Sequence, residues 1–304
     1  MTRVCAITGA SGYVGSRLME YLARKLDVVP ISRRPAPGRI PWDMGKPADI
    51  SRELRERKVG VLVHAAWDFG HPSARENERV NVEGSLRLFE SAAKAGVERI
   101  VFISTISAFR GARSMYGQSK LRVEDLVLAR SGVVVRPGLV WGEGPGGMFG
   151  SLAEQVAQKK VIPLIGSGRY PQYLVHEDDL AEALLRAARG DWKCDAAVTV
   201  AHPRPWLLRD LVHSIAERQG RKVNLLPVPW PAVYGPLKVA EMAGVRLGFR
   251  SDSVLSLVFQ NPSPDFALAD QLGLARRAYG AAQSRRGGAQ AEEESVPAPR
   301  RPIA

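Results

Sequence analysis

Short apolar runs alternate with amphipathic stretches along the first half of the chain. The apolar runs, each of strand length, occupy residues 3–8, 28–32, 59–66, 99–105 and 132–136. Between them, apolar positions recur at helical spacing over residues 13–25, about 75–94 and 115–130. An apolar run that ends in glycines is typical of a buried parallel strand, and strands that alternate with helices form right-handed βαβ units. The pattern therefore predicts an α/β fold, a doubly wound parallel sheet with helices on both faces.

The pattern changes after Gly138, because glycine and proline become dense over residues 142–147. Further on, it predicts short strands at 161–165, 172–175 and 196–201, and helices at about 178–188, 206–219 and 231–247. We expect a sheet domain from residues 1–142 and 178–201, and a smaller discontinuous C-terminal part from 143–177 and 202–275. Arg, Gly, Ala, Glu and Pro dominate from Arg276 onward, which predicts a disordered tail over 281–304.

The composition is that of an ordinary globular chain. It has 304 residues, of which 45% are hydrophobic and 24% are charged. The net charge of +12 would allow nucleic acid or an anionic membrane as partner, but basic residues are spread along the whole chain with acids among them. We therefore expect a solvated basic surface, with no nucleic acid and no membrane partner. No apolar run reaches the roughly 18 residues that a membrane span needs.

The cysteine content limits the other classes. Cys5 and Cys194 are the two cysteines and lie far apart, which excludes a disulfide scaffold and a cysteine-based zinc site. The histidines show no metal-ligand spacing, so no metal is expected. Glycines interrupt residues 1–15 too early for a secretory apolar region. These features predict a cytoplasmic protein.

A glycine-rich turn joins the first strand to the first helix. Residues 8–15 read Thr-Gly-Ala-Ser-Gly-Tyr-Val-Gly, with glycines at 9, 12 and 15. Such a turn lets the backbone approach a pyrophosphate, and the following helix N-terminus supplies free N–H groups. A strand–turn–helix context supports a dinucleotide site rather than a purely structural turn. The residues predicted to bind the cofactor here are Gly9, Ser11, Gly12, Tyr13, Val14 and Gly15.

The end of the second strand predicts the type of nicotinamide cofactor. An Asp or Glu at this place would bind the ribose 2′-hydroxyl and favour NAD. The chain has Ser32, Arg33 and Arg34 instead, and guanidinium groups can hold a 2′-phosphate through charge-assisted hydrogen bonds. We therefore predict NADP as the preferred cofactor, with NAD as the alternative. The alternative for the arginines is that they are solvated loop residues.

A tyrosine and a lysine four residues apart open the helix at 115–130. Because residues at i and i+4 share a helical face, Lys120 lies beside Tyr116. A neighbouring ammonium and a positive nicotinamide ring would lower the pKa of the tyrosine, which could then exchange a proton with a carbonyl or alcohol oxygen. Upstream, the strand at 99–105 ends in hydroxyl residues that can bind the same oxygen. Ser104, Thr105 and Ser107 are the candidates.

In combination, these motifs resemble the short-chain dehydrogenase/reductase superfamily, in its extended or atypical branch, the NAD-dependent epimerase/dehydratase family. The resemblance covers about residues 3–200. Besides the glycine turn, the hydroxyl residues and the Tyr-x-x-x-Lys motif, it rests on four segments with family-like sequence. They are His64-Ala65-Ala66, Asn81-Val82-Glu83-Gly84, Arg136-Pro137-Gly138-Leu139-Val140-Trp141-Gly142 and His176-Glu177-Asp178-Asp179-Leu180.

The resemblance implies a Rossmann-type sheet, a smaller C-terminal substrate-binding part and a role for each matching residue. It implies that Tyr116 is the acid/base, that Lys120 binds the nicotinamide ribose and tunes the tyrosine, and that Thr105 is the catalytic hydroxyl. The residues that it places along the cofactor are Asp43, Met44, Ala65, Ala66, Pro137, Leu139 and Val140. It also implies a homodimer, through the helices at 75–94 and 115–130.

Two departures from the family pattern bear on the substrate. Thr105 and Tyr116 are closer in sequence than in typical sugar-nucleotide epimerases, which removes a segment that shapes the sugar pocket. Gln172 stands where such epimerases often carry an arginine for the diphosphate, and Arg169 is three residues away. Both departures disfavour a nucleotide-sugar substrate.

Three hypotheses follow for the function. The first is an NAD(P)-dependent oxidoreductase that transfers hydride between the nicotinamide and the carbonyl or alcohol of a small molecule. The second is a nucleotide-sugar epimerase or dehydratase with a tightly bound cofactor. The third is a non-catalytic dinucleotide-binding regulatory protein, which the presence of both Tyr116 and Lys120 disfavours. Arg246, Arg250 and Asp252 are further candidates for binding a polar substrate, and Asp68 and His71 could touch substrate from their loop.

Overall fold

The computed structural model describes residues 4–71, 73–143, 146–192, 194–245 and 248–280. The predicted tail at 281–304 lies outside the described residues. Along the chain, the strands are β1 Val4–Thr8, β2 Val28–Ser32, β3 Ile40–Pro41, β4 Val59–His64, β5 Arg99–Ile103, β6 Val133–Pro137, β7 Leu139–Trp141, β8 Val161–Ile165, β9 Pro171–Gln172, β10 Leu174–His176, β11 Val198–Val200, β12 Trp206–Leu207 and β13 Asn224–Val228.

The helices are α1 Tyr13–Ala23, α2 Ser51–Glu56, α3 Ala74–Asn77, α4 Glu83–Ala95, α5 Met115–Leu128, α6 Gly147–Gln158, α7 Glu177–Arg189, α8 Leu208–Arg218, α9 Trp230–Met242, α10 Ser251–Val258 and α11 Ala267–Gln271. A π-helical segment, Glu78–Val82, joins α3 to α4. None of the described helices combines the length and the apolar character that crossing a membrane requires.

The predicted parallel sheet is confirmed. Within the described residues, seven strands form one sheet in the order β11-β6-β5-β4-β1-β2-β3, and every neighbouring pair is parallel. The chain runs from β1 through β2 to β3 on one side and then crosses to β4 on the other side of β1. This reversal opens a crevice at the carboxyl ends of β1 and β4, which is where ligands bind in open α/β sheets.

Both faces of the sheet are buried. On β1, Cys5 and Ile7 point into one core and Ala6 points into the other, so the strand alternates between two apolar layers. Leu18 and Leu22 of α1 close the first layer, together with α7. A strand that is buried on both sides requires a nearly continuous apolar run, which is the pattern seen at residues 3–8.

A third core lies in the C-terminal part. Trp141, Val156, Ile162 and Leu211 belong to a separate buried cluster between α6, α8 and the strand pair β8–β13. The chain then returns to the main sheet, because Ala269 of α11 packs into the first layer. The C-terminal part is therefore anchored to the sheet at its far end.

The packed chain continues past the change in composition at Arg276, and one sequence expectation needs correction. The bias that begins at Arg276 does not mark the end of the packed chain, because the Arg277 side chain binds the buried carboxylate of Asp179, and the Tyr279 ring packs 5.0 Å from that of Trp141. The helix expected from Trp206 begins only at Leu208, because Trp206 pairs with Gln172 in the two-stranded sheet of β12 and β9. Composition and periodicity do not report such long-range partners.

Candidate active site

The glycine turn adopts a conformation that other residues would not tolerate. Gly9 has φ of +72°, and a Cβ there would lie 2.7 Å from the backbone nitrogen of Ala66. A Cβ on Gly15 would lie 2.0 Å from the carbonyl oxygen of Gly9. The turn is therefore packed against both its own helix and the end of β4, and it leaves a cradle of bare backbone.

Helix α1 opens at this cradle with free donors. Gly12 is its N-cap, no side chain caps it, and its first turn carries no acidic residue. The backbone N–H groups and the positive end of the helix therefore face the crevice, which suits a phosphate. Next to them, the Tyr13 hydroxyl donates to Glu177 over 3.1 Å, and burial together with Glu177 raises the pKa of Tyr13 to about 12.

A cavity of about 620 Å³ follows the carboxyl ends of β1, β2, β4 and β5. Of the residues predicted to bind the cofactor, all but two line it, and so does Thr105. The exceptions are Arg34, whose side chain is exposed outside the cavity, and Leu139, which lines a neighbouring cavity. Arg34 lies one residue beyond Arg33 in a turn where the Ser32 hydroxyl donates to the Arg34 carbonyl. Only one of the two guanidinium groups therefore lines the cavity.

The Arg33 side chain is 72% exposed, and its Nη1 lies 3.5 Å from the Asp68 carboxylate. An ion pair that is this exposed contributes little stability, so a phosphate could replace the carboxylate. Asp68 itself lines the large cavity, and its loop also contains His71, whose Nε2 lies 3.8 Å from the same carboxylate. No residue of the end of β2 is acidic.

A buried hydrogen-bond chain supports the turn from below. Ser85 donates to the Asn81 carbonyl, so its oxygen accepts from His64 Nε2 at 2.8 Å. The other nitrogen of His64, Nδ1, therefore accepts from the Thr8 hydroxyl at 2.7 Å. The Thr8 oxygen in turn accepts the N–H groups of Ala65 and Ala66, each at 3.1 Å. Burial lowers the pKa of His64 to about 3, so the ring is neutral and its tautomer is determined by the chain.

The π-helical segment holds the loop after β4. Asn81 lies in this segment, donates to the Asp68 carbonyl at 2.8 Å and accepts the Asp68 N–H at 2.9 Å. It also donates to Asn77, which donates to Ser119 of α5. The family-like segment at 81–84 thus ties this loop to the helix that carries Tyr116.

The structure distinguishes between the three hydroxyls at the end of β5. The Thr105 side chain acts on the Tyr116 hydroxyl, whose pKa it lowers, and both residues line the large cavity. Ser104 donates instead to Glu124, a buried carboxylate that also accepts a bidentate pair from Arg136. Ser107 lines the neighbouring cavity. Thr105 is therefore the hydroxyl that stands with Tyr116.

The expected lowering of the Tyr116 pKa is not found. Burial raises it to about 12, and the Thr105 side chain opposes this only in part. Lys120 is 3% exposed, donates to the Ile103 carbonyl at 2.7 Å and lies 6.0 Å from the Tyr116 ring centroid. Its ammonium lies closer to the rings of Trp67 and Phe102, at 4.3 and 4.5 Å. Burial also lowers the pKa of Lys120 to about 7, which weakens it as a source of positive charge.

Aromatic residues that the sequence analysis did not select surround Tyr116. Trp67 and Phe69 lie 5.8 and 5.4 Å from its ring, and Trp42 lines the cavity farther along. Their positions in loops after β3 and β4 follow no periodicity. The available signal was their place beside predicted cofactor residues, since Trp42 directly precedes Asp43 and Trp67 directly follows Ala66.

A second cavity of about 410 Å³ adjoins the first. Tyr116 and Thr105 line both, so they lie at the junction. The far wall of the second cavity comes from α10 and the residues after it. Among the described residues, no group of three or more His, Cys, Asp or Glu is placed to hold a metal ion.

Arg250 and Asp252, two of the candidates for binding a polar substrate, bind backbone groups of the protein, and the third, Arg246, lies outside the described residues. Arg250 donates to the carbonyls of Phe69 and His71, at 2.5 and 3.1 Å. Asp252 accepts the N–H groups of Met115 and Tyr116, at 2.7 and 2.9 Å. The two residues thus hold the loop after β4 and the start of α5 together.

The sheet, the glycine turn at its reversal point and the Thr–Tyr–Lys set define the chain as a Rossmann-fold enzyme of the NAD(P)-dependent class. The chain belongs to the NAD dependent epimerase/dehydratase family, whose model matches residues 5–195. This confirms the family resemblance and the α/β fold class. It is a family of NAD-dependent oxidoreductases and epimerases.

Individual relatives span both reaction types. A ceramide reductase of Caulobacter vibrioides is 26% identical over 242 residues, which cover 76% of this chain and 75% of the relative. A UDP-glucose 4-epimerase of Vibrio cholerae is 24% identical over 262 residues, 75% of this chain and 80% of the relative. The solved structure of MoeE5 in complex with UDP-glucose and NAD has a TM-score of 0.63 and 25% identity, and the match covers 74% of this chain and 85% of that one.

Proposed function

We propose that this protein is an NADP(H)-linked oxidoreductase that transfers hydride between the nicotinamide and the carbonyl or alcohol of a small molecule. The observation that carries the proposal is the position of Tyr116 and Thr105 at the junction of two cavities. The larger cavity contains the glycine cradle, and the smaller one opens on the other side of the tyrosine. A cofactor in the first and a substrate in the second would meet at the Tyr116 hydroxyl.

The residues of the larger cavity fit a dinucleotide. The bare backbone at Gly9 and Gly15 and the uncapped start of α1 suit the pyrophosphate. Lys120 would hold the nicotinamide ribose, as the family resemblance implies. When bound, the nicotinamide supplies or accepts the hydride, which no side chain can do.

Tyr116 would move the proton. Because burial keeps its pKa at about 12, its hydroxyl is protonated near neutral pH and can donate to a carbonyl oxygen as the carbonyl carbon gains hydride. Thr105, which lines both cavities together with Tyr116, would bind the same oxygen and stabilise the developing charge. In the reduction direction, Tyr116 therefore acts as the acid.

The preference for NADP rests on Arg33. It is the guanidinium that lines the cavity, its present partner is an exposed carboxylate, and the end of β2 has no acid for a ribose 2′-hydroxyl. The homodimer and the division into a sheet domain and a substrate part also stay predictions.

The second candidate is an epimerase on a sugar nucleotide, and the relatives that are named for UDP-glucose favour it. The two reactions differ in how they use cofactor. A reductase consumes NADPH in proportion to product, whereas an epimerase oxidises and reduces a tightly held cofactor within one cycle and turns over without any added.

The test measures the amount of NADPH consumed per substrate converted and compares two variants. We expect purified protein to oxidise NADPH stoichiometrically with a carbonyl substrate. Tyr116→Phe should abolish this oxidation while NADPH binding is unchanged, and Tyr234→Phe, which makes the same change on α9, should keep full activity. Turnover of UDP-glucose without added cofactor, or undiminished activity of Tyr116→Phe, would refute the proposal.

A further inference from the structure

The smaller cavity offers no net charge to a substrate. Its charged lining residues within the described chain are Arg250 and Asp252, which are opposite in sign. Both bind backbone groups of the protein, as described above. Gln172 is buried and donates to the carbonyl of Pro171, and Arg169 is exposed and lines neither cavity. A diphosphate would therefore lose its hydration here without gaining a cation.

The mouth of the same cavity carries large apolar side chains in contact with solvent. Phe69 is 55% exposed and Met148 is 48% exposed, and both line the cavity. Val140 and Leu257 continue the apolar wall further along. Such surface is stabilised when an apolar ligand covers it, and methionine adapts its shape to the ligand.

One polar atom in the cavity wall lacks a partner. Gln260 Oε1 is buried and makes no hydrogen bond within the described part of the chain. Gln260 follows α10 and lines the cavity. An acceptor that is buried without a donor destabilises the protein. Because Gln260 lines the cavity, a rotation of its side chain would let this oxygen accept a hydrogen bond from a ligand hydroxyl or amide N–H, which would remove this cost.

We propose that this cavity selects an uncharged, mainly apolar carbonyl compound or alcohol, and that Gln260 accepts a hydrogen bond from a donor on that molecule. The reacting carbonyl in this inference rests on the proposed function. The absence of net charge in the cavity lining, the apolar side chains at its mouth and the position of Gln260 do not depend on the direction of hydride transfer. The volume of about 410 Å³ falls within the roughly 300–1,000 Å³ of small-molecule sites.

The test measures binding to the full chain saturated with NADP⁺, by calorimetry, so that it does not depend on turnover. The probes are α-tetralone, its monohydroxylated isomers and UDP-glucose. We expect α-tetralone to bind, at least one hydroxylated isomer to bind about tenfold more tightly, and UDP-glucose not to displace either. In Gln260→Leu the advantage of that isomer should disappear while α-tetralone binds as before. Gln158→Leu, the same change on the exposed face of α6, should keep the advantage.

The outcomes separate this inference from the proposed function. Displacement of α-tetralone by UDP-glucose, absence of tetralone binding, or an unchanged preference in Gln260→Leu would overturn the substrate class. Binding of the tetralones as expected without any NADPH oxidation would refute the reductase and leave the substrate class standing.

Discussion

The two cavities are built in different ways. The larger one is lined by residues that follow consecutive strands of one sheet, so that Gly9 after β1 and Ala66 after β4 are neighbours because their strands pair. The smaller one depends on segments that are remote in sequence, since Asp252 binds the backbone of Tyr116 across 136 positions. The comparison indicates that sheet topology forms most of the cofactor site, whereas the substrate site requires the C-terminal part to dock.

The largest effect is expected from Gly15→Ala. Its Cβ would collide with the carbonyl of Gly9 at 2.0 Å, which no side-chain movement can relieve. We expect loss of measurable NADPH binding and destabilisation by about 3 kcal/mol or more, measured by fluorescence titration and urea unfolding.

The matched control for that change lies in the other region. Gly235 of α9 has open space around its Cβ position, so Gly235→Ala should be neutral or stabilise by up to about 1 kcal/mol. If Gly15→Ala bound cofactor normally, the tight turn would not be the basis of the site.

The next effect depends on pH and concerns the support under the turn. The folded-state pKa of His64, about 3, lies below its ordinary 6.5, so the unfolded chain binds a proton that the native state does not. The contribution of His64 to stability is therefore fully present above pH 6.5. It is lost as the pH drops toward 3, by about 1.4 kcal/mol per pH unit. His64→Gln should be less stable at neutral pH and should lose this part of the slope in urea unfolding across the range.

His213→Gln provides the comparison, because His213 is exposed on α8. Its pH slope should match that of the unmodified chain. If the stability of His64→Gln fell with pH as steeply as that of the unmodified chain, the acid sensitivity would not come from the buried imidazole.

A smaller effect tests the contact between the two regions. Asp252→Ala removes two charge-assisted hydrogen bonds from the start of α5, where Tyr116 is the second residue. We expect about 2 kcal/mol of destabilisation and roughly a tenfold lower kcat with little change in the KM for NADPH. Asp252→Asn should restore part of kcat.

Asp265→Ala is the control, since Asp265 accepts the N–H of Ala267 at the exposed start of α11. The Asp265→Ala variant should be less stable than the unmodified chain but should keep the same kcat. Were Asp252→Ala to do the same, Asp252 would be a helix cap and not a positioning residue for Tyr116.

The smallest effect is expected from the arginines after β2. Arg33→Ala should weaken NADPH binding about tenfold and leave NADH binding nearly unchanged, because only NADPH carries the 2′-phosphate. Arg34→Ala should have less effect on either cofactor, since its side chain lies outside the cavity. Equal losses for both cofactors in Arg33→Ala would remove the basis for a preference.

Periodicity predicted the sheet well and the connections poorly. The apolar runs at 59–66 and 99–105 contain β4 and β5, because a parallel strand that is buried on both faces must be apolar throughout. The two-residue strand β3 escaped notice, since a pair of residues has no period. The role of Arg250 could not be predicted either, because the sequence does not distinguish a guanidinium that binds backbone carbonyls from one that binds substrate.

The sequence by itself determined the α/β sheet, the glycine cradle and the order of Thr105, Tyr116 and Lys120. All of these depend on residues close along the chain or on the register of one sheet. Only the tertiary structure decided that Thr105 stands with Tyr116, that burial raises the pKa of that tyrosine, and that Gln260 lies in the substrate cavity. Burial and long-range contact depend on which surfaces meet after folding, and neither can be read from local spacing.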